Sequence, residues 1–499
     1  MSEVNNSSDH SAAELLSSEL GRFCESELLT EEGLREIIQR HGLAHDEHLG
    51  DYKFFHAACR NKRVTEEIIQ CLVEYFPDAA TATDAYRVTP LHYACYNKNV
   101  TLGIIQLLFD AAPDSVRSVN DGDSTPLHYL CCNKKVDEAT PLKILKLLIE
   151  KHPEAARHAS NEGFLPIHCA SGRRSLEFCR ELIKAYPGSE RINDAKGLLP
   201  LHGACMMNTL PTVEYLFRLY PAAIHRVTTG EYPSGGHYPI DYAISFMQYR
   251  DVPSAAVHIV KFLLDCDPDV KLQKYERRPL LEIACRQLYN YSNIGAALEM
   301  IKIIFDAHPE AIEDNSIATN INRYHQVVRS FINGELVYAR QAKDLYLMST
   351  SDENGRLPLH KALQNNVRLG SIKLFVKGNP DALKSADNSG SLPLHVACIN
   401  YNSVSVIDYL VELDKSTLDA VDREGNSALH LACHDAKYDI IAQLLEKYDA
   451  VSVSKRNADI KLPIDLLWES NAVEDRDSIE YTWCMYLLLR ANPEMIMGH

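Results

Sequence analysis

The sequence predicts an all-α fold, a solenoid of about 11 to 12 stacked helix-turn-helix repeats with short finger loops. Three observations carry that prediction. A heptapeptide returns along the chain, as Thr89-Pro90-Leu91-His92-Tyr93-Ala94-Cys95, Thr125-Pro126-Leu127-His128-Tyr129-Leu130-Cys131, Leu199-Pro200-Leu201-His202-Gly203-Ala204-Cys205 and Leu392-Pro393-Leu394-His395-Val396-Ala397-Cys398. Its histidine position recurs eleven times, at His56, His92, His128, His168, His202, Asp241, Glu282, His360, His395, His430 and Asp465, with spacings of 36, 36, 40, 34, 39, 41, 78, 35, 35 and 35 residues. Between these positions lies an apolar run that closes on a proline, as Ile104 to Phe109 closes on Pro113 and others close on Pro77, Pro153, Pro187, Pro221, Pro268, Pro309, Pro380 and Pro493.

Taken in chain order, residues 1–50 stand outside the repeat and carry eleven acidic against three basic residues. The first ten are expected to be disordered, followed by a helix from Ser11, where Glu14 completes a capping box, to Phe23 and another over Leu34 to Arg40. This segment is read as a cap on the first repeat, with a partner-binding arm as the other reading. Repeats are expected over residues 51–314. In each, Thr89 or its equivalent caps a first helix and the following proline fits the first helical position, where its missing N–H costs nothing. Leu, Ala and Cys then line one side, and the second helix carries an Ile/Leu stripe at i, i+3 and i+4. Neither helix hides its apolar side alone, so stacking must do so. Asn120-Asp121-Gly122-Asp123 and Asp387-Asn388-Ser389-Gly390 are turn formers and predict the fingers. Residues 228–238 form a longer finger containing Tyr232. Residues 315–350 fill the double spacing, with helical patterns over Ile321 to Phe331 and Leu336 to Met348 parted at Asn333-Gly334, and read as one degenerate repeat or a helical insertion. Residues 351–499 resume the repeat and end in a closing helix over Trp483 to Leu489.

At these motifs the chain resembles the ankyrin repeat family, whose unit of about 33 residues opens on Thr-Pro-Leu-His. The resemblance spans residues 51 to 499 and implies helix-turn-helix units with hairpin-like fingers, stacked in a curved array that binds partners along the fingers and first helices. This sequence departs from the family in having Leu165, Leu199, Leu357, Leu392 and Leu462 where threonine is usual, so the threonine cap and its bond to histidine are expected to be missing there. The turn after Cys95, Asn97 to Val100, is longer than the family's, and four further residues follow Cys131.

Composition narrows the function. With 46% hydrophobic and 24% charged residues the chain has the make-up of a folded globular protein. A formal net charge of −17 argues against wrapping nucleic acid or lying on anionic lipid. Fourteen cysteines are too few for a disulfide scaffold at 499 residues. No basic and apolar leader precedes Cys24 and no apolar run reaches the roughly 20 residues that cross a bilayer, so a soluble, reduced, cytoplasmic monomer is expected, with the nucleus open as a second compartment. Histidine and cysteine recur as His-x-x-Cys, at His56/Cys59, His92/Cys95, His128/Cys131, His202/Cys205, His395/Cys398 and His430/Cys433. Each pair would give zinc two ligands of the four it needs, and packed helices set successive pairs about 10 Å apart, so these histidines are read as structural and no metal or cofactor is expected. No phosphate loop, nucleophile elbow or kinase signature occurs, and no catalysis is expected. Arg173-Arg174 and Arg277-Arg278 read as solvated turns.

Surface recognition remains. By register, the first-helix candidates for holding a protein partner are Tyr93, Tyr96, Asn97, Tyr129, Asn133, Met206, Met207, Tyr242, Ile399, Asn400 and His434, joined by Tyr232 on the long finger; tyrosine and methionine offer large, adaptable contact area. The expected function is a non-catalytic scaffold or adaptor. The alternative is a targeting or regulatory subunit, such as a substrate receptor of a ligase or an enzyme inhibitor, and a metal-dependent or catalytic protein is the third reading.

Overall fold

A computed structural model describes residues 6–41, 52–133, 138–229, 236–267, 279–286, 294–400, 402–448, 453–473 and 475–491. The described residues contain helices, 3-10 turns and loops and no strand. The chain divides into two compact parts, Met1–Val270 with Tyr275–Arg277 and Lys271–Lys274 with Arg278–His499.

The N-terminal part begins with helices Asn6–Glu25 and Glu31–His41. The first starts earlier than expected: residues 6–10, placed in a disordered tail by composition, already belong to the helix, and Ser7, Ser8 and Asp9 are residue types that suit a first helical turn. Leu16, Leu20 and Cys24 are fully buried where this helix packs on Lys53–Arg60, while Glu31–His41 packs on Glu66–Tyr75. The pair therefore occupies the position that a preceding repeat would take.

Among the described residues of this part, six repeats then follow one plan. Short first helices, such as Pro90–Tyr96, Pro126–Cys132, Pro166–Ser171 and Pro200–Met207, pack on one another in series. Longer second helices, such as Leu102–Ala111 and Leu176–Ala185, form the other layer. Thr65, Thr101 and Ser175 cap second helices by accepting from the N–H three residues on, at 3.3, 3.1 and 3.3 Å. Between the layers lie Leu91, Ala94, Cys95, Ile104, Ile105 and Leu108 and their equivalents, all nearly inaccessible. Each buried leucine or isoleucine side chain contributes roughly 1.5–3 kcal/mol by leaving water, which is what holds elements too short to be stable alone. The prolines after the second helices do more than stop them. Pro77, Pro113, Pro153, Pro221, Pro309 and Pro380 each open a 3-10 turn that carries the chain toward the next finger. The four added residues after Cys131, Pro268, Arg277-Arg278 and Pro493 lie outside the described residues.

In the C-terminal part the region 315–350 departs from the expected pattern. One helix, Gln326–Lys343, runs straight through Asn333-Gly334, where two helices were expected to part, and a short helix Leu345–Ser349 follows. Val328, Ile332, Glu335, Ala339 and Ala342 form its buried stripe, at spacings of three and four, so the packing of one continuous face outweighs the turn propensity of Asn-Gly. Gly334 faces solvent with nothing near the position of an added Cβ. Gly334→Ala is accordingly expected to raise stability by about 0.5–1 kcal/mol, read as a higher urea midpoint for the C-terminal transition; a lower midpoint would contradict a regular helix there.

This helix packs on Leu369–Gly378, which also packs on Ile294–Ala307. Asp306 anchors that second contact. Its carboxylate accepts from Arg368 at 2.7 and 3.2 Å and from the Gly370 N–H at 3.0 Å, and its carbonyl accepts from Lys373 at 2.6 Å. The last helix, Ile479–Ala491, covers Tyr438–Lys447 and contains the expected 483–489 run.

Candidate functional site

The recurring histidine is buried and uses both ring nitrogens. In His202 the Leu199 backbone N–H donates to Nδ1 at 3.0 Å, while Nε2 lies 3.0 Å from the carbonyl of Arg226 in the next finger. A carbonyl can only accept and an N–H can only donate, so the two partners fix a neutral ring protonated on Nε2. His92 repeats the arrangement with Thr89 N and Ser124 O, His128 with Thr125 N and Phe164 O, His168 with Leu165 N and Ile192 O, and His395 with Leu392 N and Ala420 O, at 2.9–3.2 Å. His360 and His430 keep it at up to 3.3 Å, whereas His56 faces a carbonyl on both sides, Tyr52 O at 3.3 Å and Val88 O at 3.0 Å. Each ring thus staples a helix start to the finger that follows. Where threonine or serine is present, its hydroxyl adds a bond to Nδ1, at 2.8 Å from Thr89, 2.9 Å from Thr125 and 2.8 Å from Ser427. The leucine copies lose that hydroxyl and keep the staple, because the essential donor is the backbone N–H. Burial holds His92, His128 and His202 at a pKa of about 4 and lowers the others.

Two of the three acid copies keep the helix-start half of the staple and lose the finger half; in the third the helix starts after Pro279, which has no N–H, and Glu282 accepts from Arg286 instead. Asp241 and Asp465 accept from the Tyr238 and Leu462 N–H groups at 2.9 and 2.8 Å, but a carboxylate has no proton for the following finger. Oδ1 of Asp241 is buried without a hydrogen-bond partner, and burial raises this carboxyl to about 7. An unfolded aspartate ionises near 4, so stability falls as pH rises from about 4 through 7. Asp241→Asn supplies an acceptor and a donor without charge. It is expected to stabilise the N-terminal part by about 1–3 kcal/mol at pH 8 and by less at pH 5, measured as the difference in denaturation midpoint.

A second clasp was not read from the sequence. Nδ2 of Asn97 donates to Cys59 O and Asn61 O, both at 2.8 Å, and Nδ2 of Asn133 donates to Cys95 O and Asn97 O at 3.1 and 2.9 Å. Asn208 does the same to the repeat before it, and Asn61 to the end of the N-terminal helix Asn6–Glu25. These amides close the open carbonyl end of the preceding first helix. Arginine takes the role twice: Arg174 donates to Leu130 O, and Arg250 to Cys205 O and Asn208 O. Arg174, read as part of a solvated turn, is instead fully buried, paired with Glu138 at 3.2 Å and set over the Phe178 ring.

The fingers form a third ladder. Asp84, Asn120, Asp194, Asp352, Asp387, Asp422 and Asn457 each accept from N–H groups two and four residues on, closing the turn. One backbone bond then joins neighbouring fingers, as from Asp121 N to Tyr86 O at 3.0 Å and from Thr229 N to Lys196 O at 2.7 Å. Gly197 has a φ of 77°, and an added Cβ would lie 2.7 Å from the Thr229 nitrogen, so both the left-handed turn and the finger contact require glycine there.

These bonds sort the expected partner-binding residues. Asn97, Asn133 and Tyr242 are buried, at 8, 1 and 9% exposure, and the two asparagine amides are committed to stacking; they are corrected from surface to structural positions. Tyr93 and Tyr129 are half-buried and brace their fingers, through Asp84 at 2.7 Å and Asn120 at 3.0 Å. Tyr96, Ile399 and His434 are exposed, and Met206, Met207 and Asn400 are partly so. Tyr232 lies outside the described residues. In the N-terminal part the residue four after each histidine meets the residue one after the next histidine. Arg60 lies over Tyr93 at 5.3 Å, Tyr96 meets Tyr129 edge-on at 6.1 Å, the free thiols Cys132 and Cys169 line the same cavity, and Gly172 abuts Gly203. That cavity, between the second and third of these pairs, has a volume of about 240 Å³ and is lined by Tyr96, Ser124, His128, Tyr129, Cys132, Ser160, Phe164 and Cys169. Its lining is mostly apolar, with a few hydroxyls and thiols at its edge, which suits an inserted side chain better than an ion.

Among the described residues no group of three or more His, Cys, Asp or Glu is placed to hold a metal ion, and no helix is long and apolar enough to cross a membrane. A family model described as ankyrin repeats (three copies) matches residues 54–142, 136–229, 316–419 and 368–457, well over half of the chain. No curated protein matches the sequence.

Proposed function

The chain belongs to the ankyrin repeat family, and from that premise we propose that it is a non-catalytic adaptor which holds a protein segment along its first helices and fingers. Repeats of this family are in general protein-interaction modules. The observation that carries the reading is the division of labour on the first helices: His and Asn are used up in staples, while Tyr96, Met206, Met207, Ile399 and His434 are left at the surface. Large aromatic and thioether side chains cost free energy in water and gain it in a protein contact. With a formal net charge of −17, a basic or neutral segment is the favoured partner. The double variant Tyr96→Ala, Met206→Ala tests this. Protein recovered by affinity capture with the parent chain should fall at least about tenfold, equivalent to 1.4 kcal/mol, with helix content unchanged. Unchanged recovery would overturn the assignment of this face.

A further inference from the structure

Cys132 and Cys169 stand apart from the other cysteines. Eleven of the fourteen are buried between the helix layers, where burial pushes the thiol pKa up, to about 12 in Cys205, and leaves them inert; Cys266 is exposed. Cys132 and Cys169 are half-buried on the first-helix face, in successive repeats, at the two positions that the register sets opposite each other. Both line the cavity of about 240 Å³, together with Tyr96 and Tyr129. At the equivalent pair one repeat later, a Cβ on Gly172 would lie 2.9 Å from the Gly203 carbonyl, so the backbones approach closely in this register.

We propose that Cys132 and Cys169 are a peroxide-reactive dithiol that closes to a disulfide joining the third and fourth repeats. The surroundings favour Cys132 as the attacking sulfur. Its contact with the Cys169 thiol and the positive potential of the Arg173 and Arg174 guanidinium groups, with Arg173 Nη1 donating to the Cys132 carbonyl at 3.4 Å, favour its thiolate against the cost of burial. The same contact raises Cys169, keeping it protonated until it is needed. In the first step the Cys132 thiolate attacks one peroxide oxygen; the S–O bond forms, the O–O bond breaks, and the departing hydroxide takes a proton to become water. In the second step the Cys169 sulfur attacks the sulfenic sulfur; the S–S bond forms, the S–O bond breaks, and the hydroxyl leaves as water with the Cys169 proton. Two thiols lose two electrons, and one peroxide becomes two waters.

The test exposes the full-length chain to one equivalent of hydrogen peroxide, blocks remaining thiols with N-ethylmaleimide, and maps the peptides by mass spectrometry. The expected result is a linked peptide pair containing Cys132 and Cys169, formed at least about tenfold faster than oxidation of the exposed Cys266. In Cys169→Ser, dimedone should trap a sulfenic acid at Cys132; in Cys132→Ser, neither link nor trapped acid should form at Cys169. Far-UV circular dichroism of both variants checks their folding, and the parent chain alone gives the primary answer without them. Oxidation led by Cys266 with Cys132 and Cys169 still alkylated would overturn the proposal. So would oxidation of Cys132 beyond the sulfenic state with no link in the parent chain.

Discussion

His202→Ala is expected to lower the stability of the N-terminal part by about 3 kcal/mol, seen as a lower urea midpoint by circular dichroism. Three losses combine. The Arg226 carbonyl loses its donor, the Leu199 N–H loses its acceptor, and the ring leaves a void among fully buried neighbours. His202→Asn separates these terms. Asp241 and Asp465 show that a side chain of this length reaches the N–H three residues back, so asparagine should restore that bond and recover roughly half of the loss without reaching the finger. Equal destabilisation by Ala and Asn would mean that the helix-start bond contributes nothing.

Acidification is expected to unfold the protein in a defined window. His92, His128 and His202 have folded pKa values of about 4, against about 6.5 in an unfolded chain. Between these limits the unfolded state binds more protons, so their contribution is complete above pH 6.5 and is lost as pH falls toward 4. Each is worth roughly 3 kcal/mol across the whole interval. The other stapling histidines shift in the same direction. Calorimetry at pH 5 in buffers of different ionisation enthalpy should report uptake of about three or more protons on unfolding. Uptake near zero would show that the rings are already charged in the folded state, which the paired carbonyl and N–H contacts forbid.

The repeat was legible because its period and its prolines come directly from local chemistry. A cap before Pro, an apolar stripe and a turn former are each visible in the sequence. The role of histidine was legible as structural, yet its survival in the leucine copies was not, since the decisive donor is a backbone N–H common to every residue but proline. The asparagine clasp had a signal: Asn61, Asn97 and Asn133 each fall five residues after a histidine. Asn97 and Asn133 are expected from sequence at a partner-binding face instead, because sequence does not show that the preceding helix end lies within reach. Asn333-Gly334 misled for the opposite reason, as a local turn preference gave way to a long buried stripe. Arg174 is the hardest case, for a fully buried arginine depends on a carbonyl, a carboxylate and an aromatic ring contributed from distant positions.

The adaptor reading meets its most direct test in site-specific photo-crosslinking. A photoreactive amino acid is placed in the full-length chain at Tyr96 or Met206 on first helices, and at Lys146 or Arg218 on second helices, and the protein is irradiated in native lysate. The account expects discrete protein adducts from positions 96 and 206, suppressed by excess unlabelled parent chain, and none of comparable yield from 146 and 218. Adducts confined to the second-helix positions would contradict it.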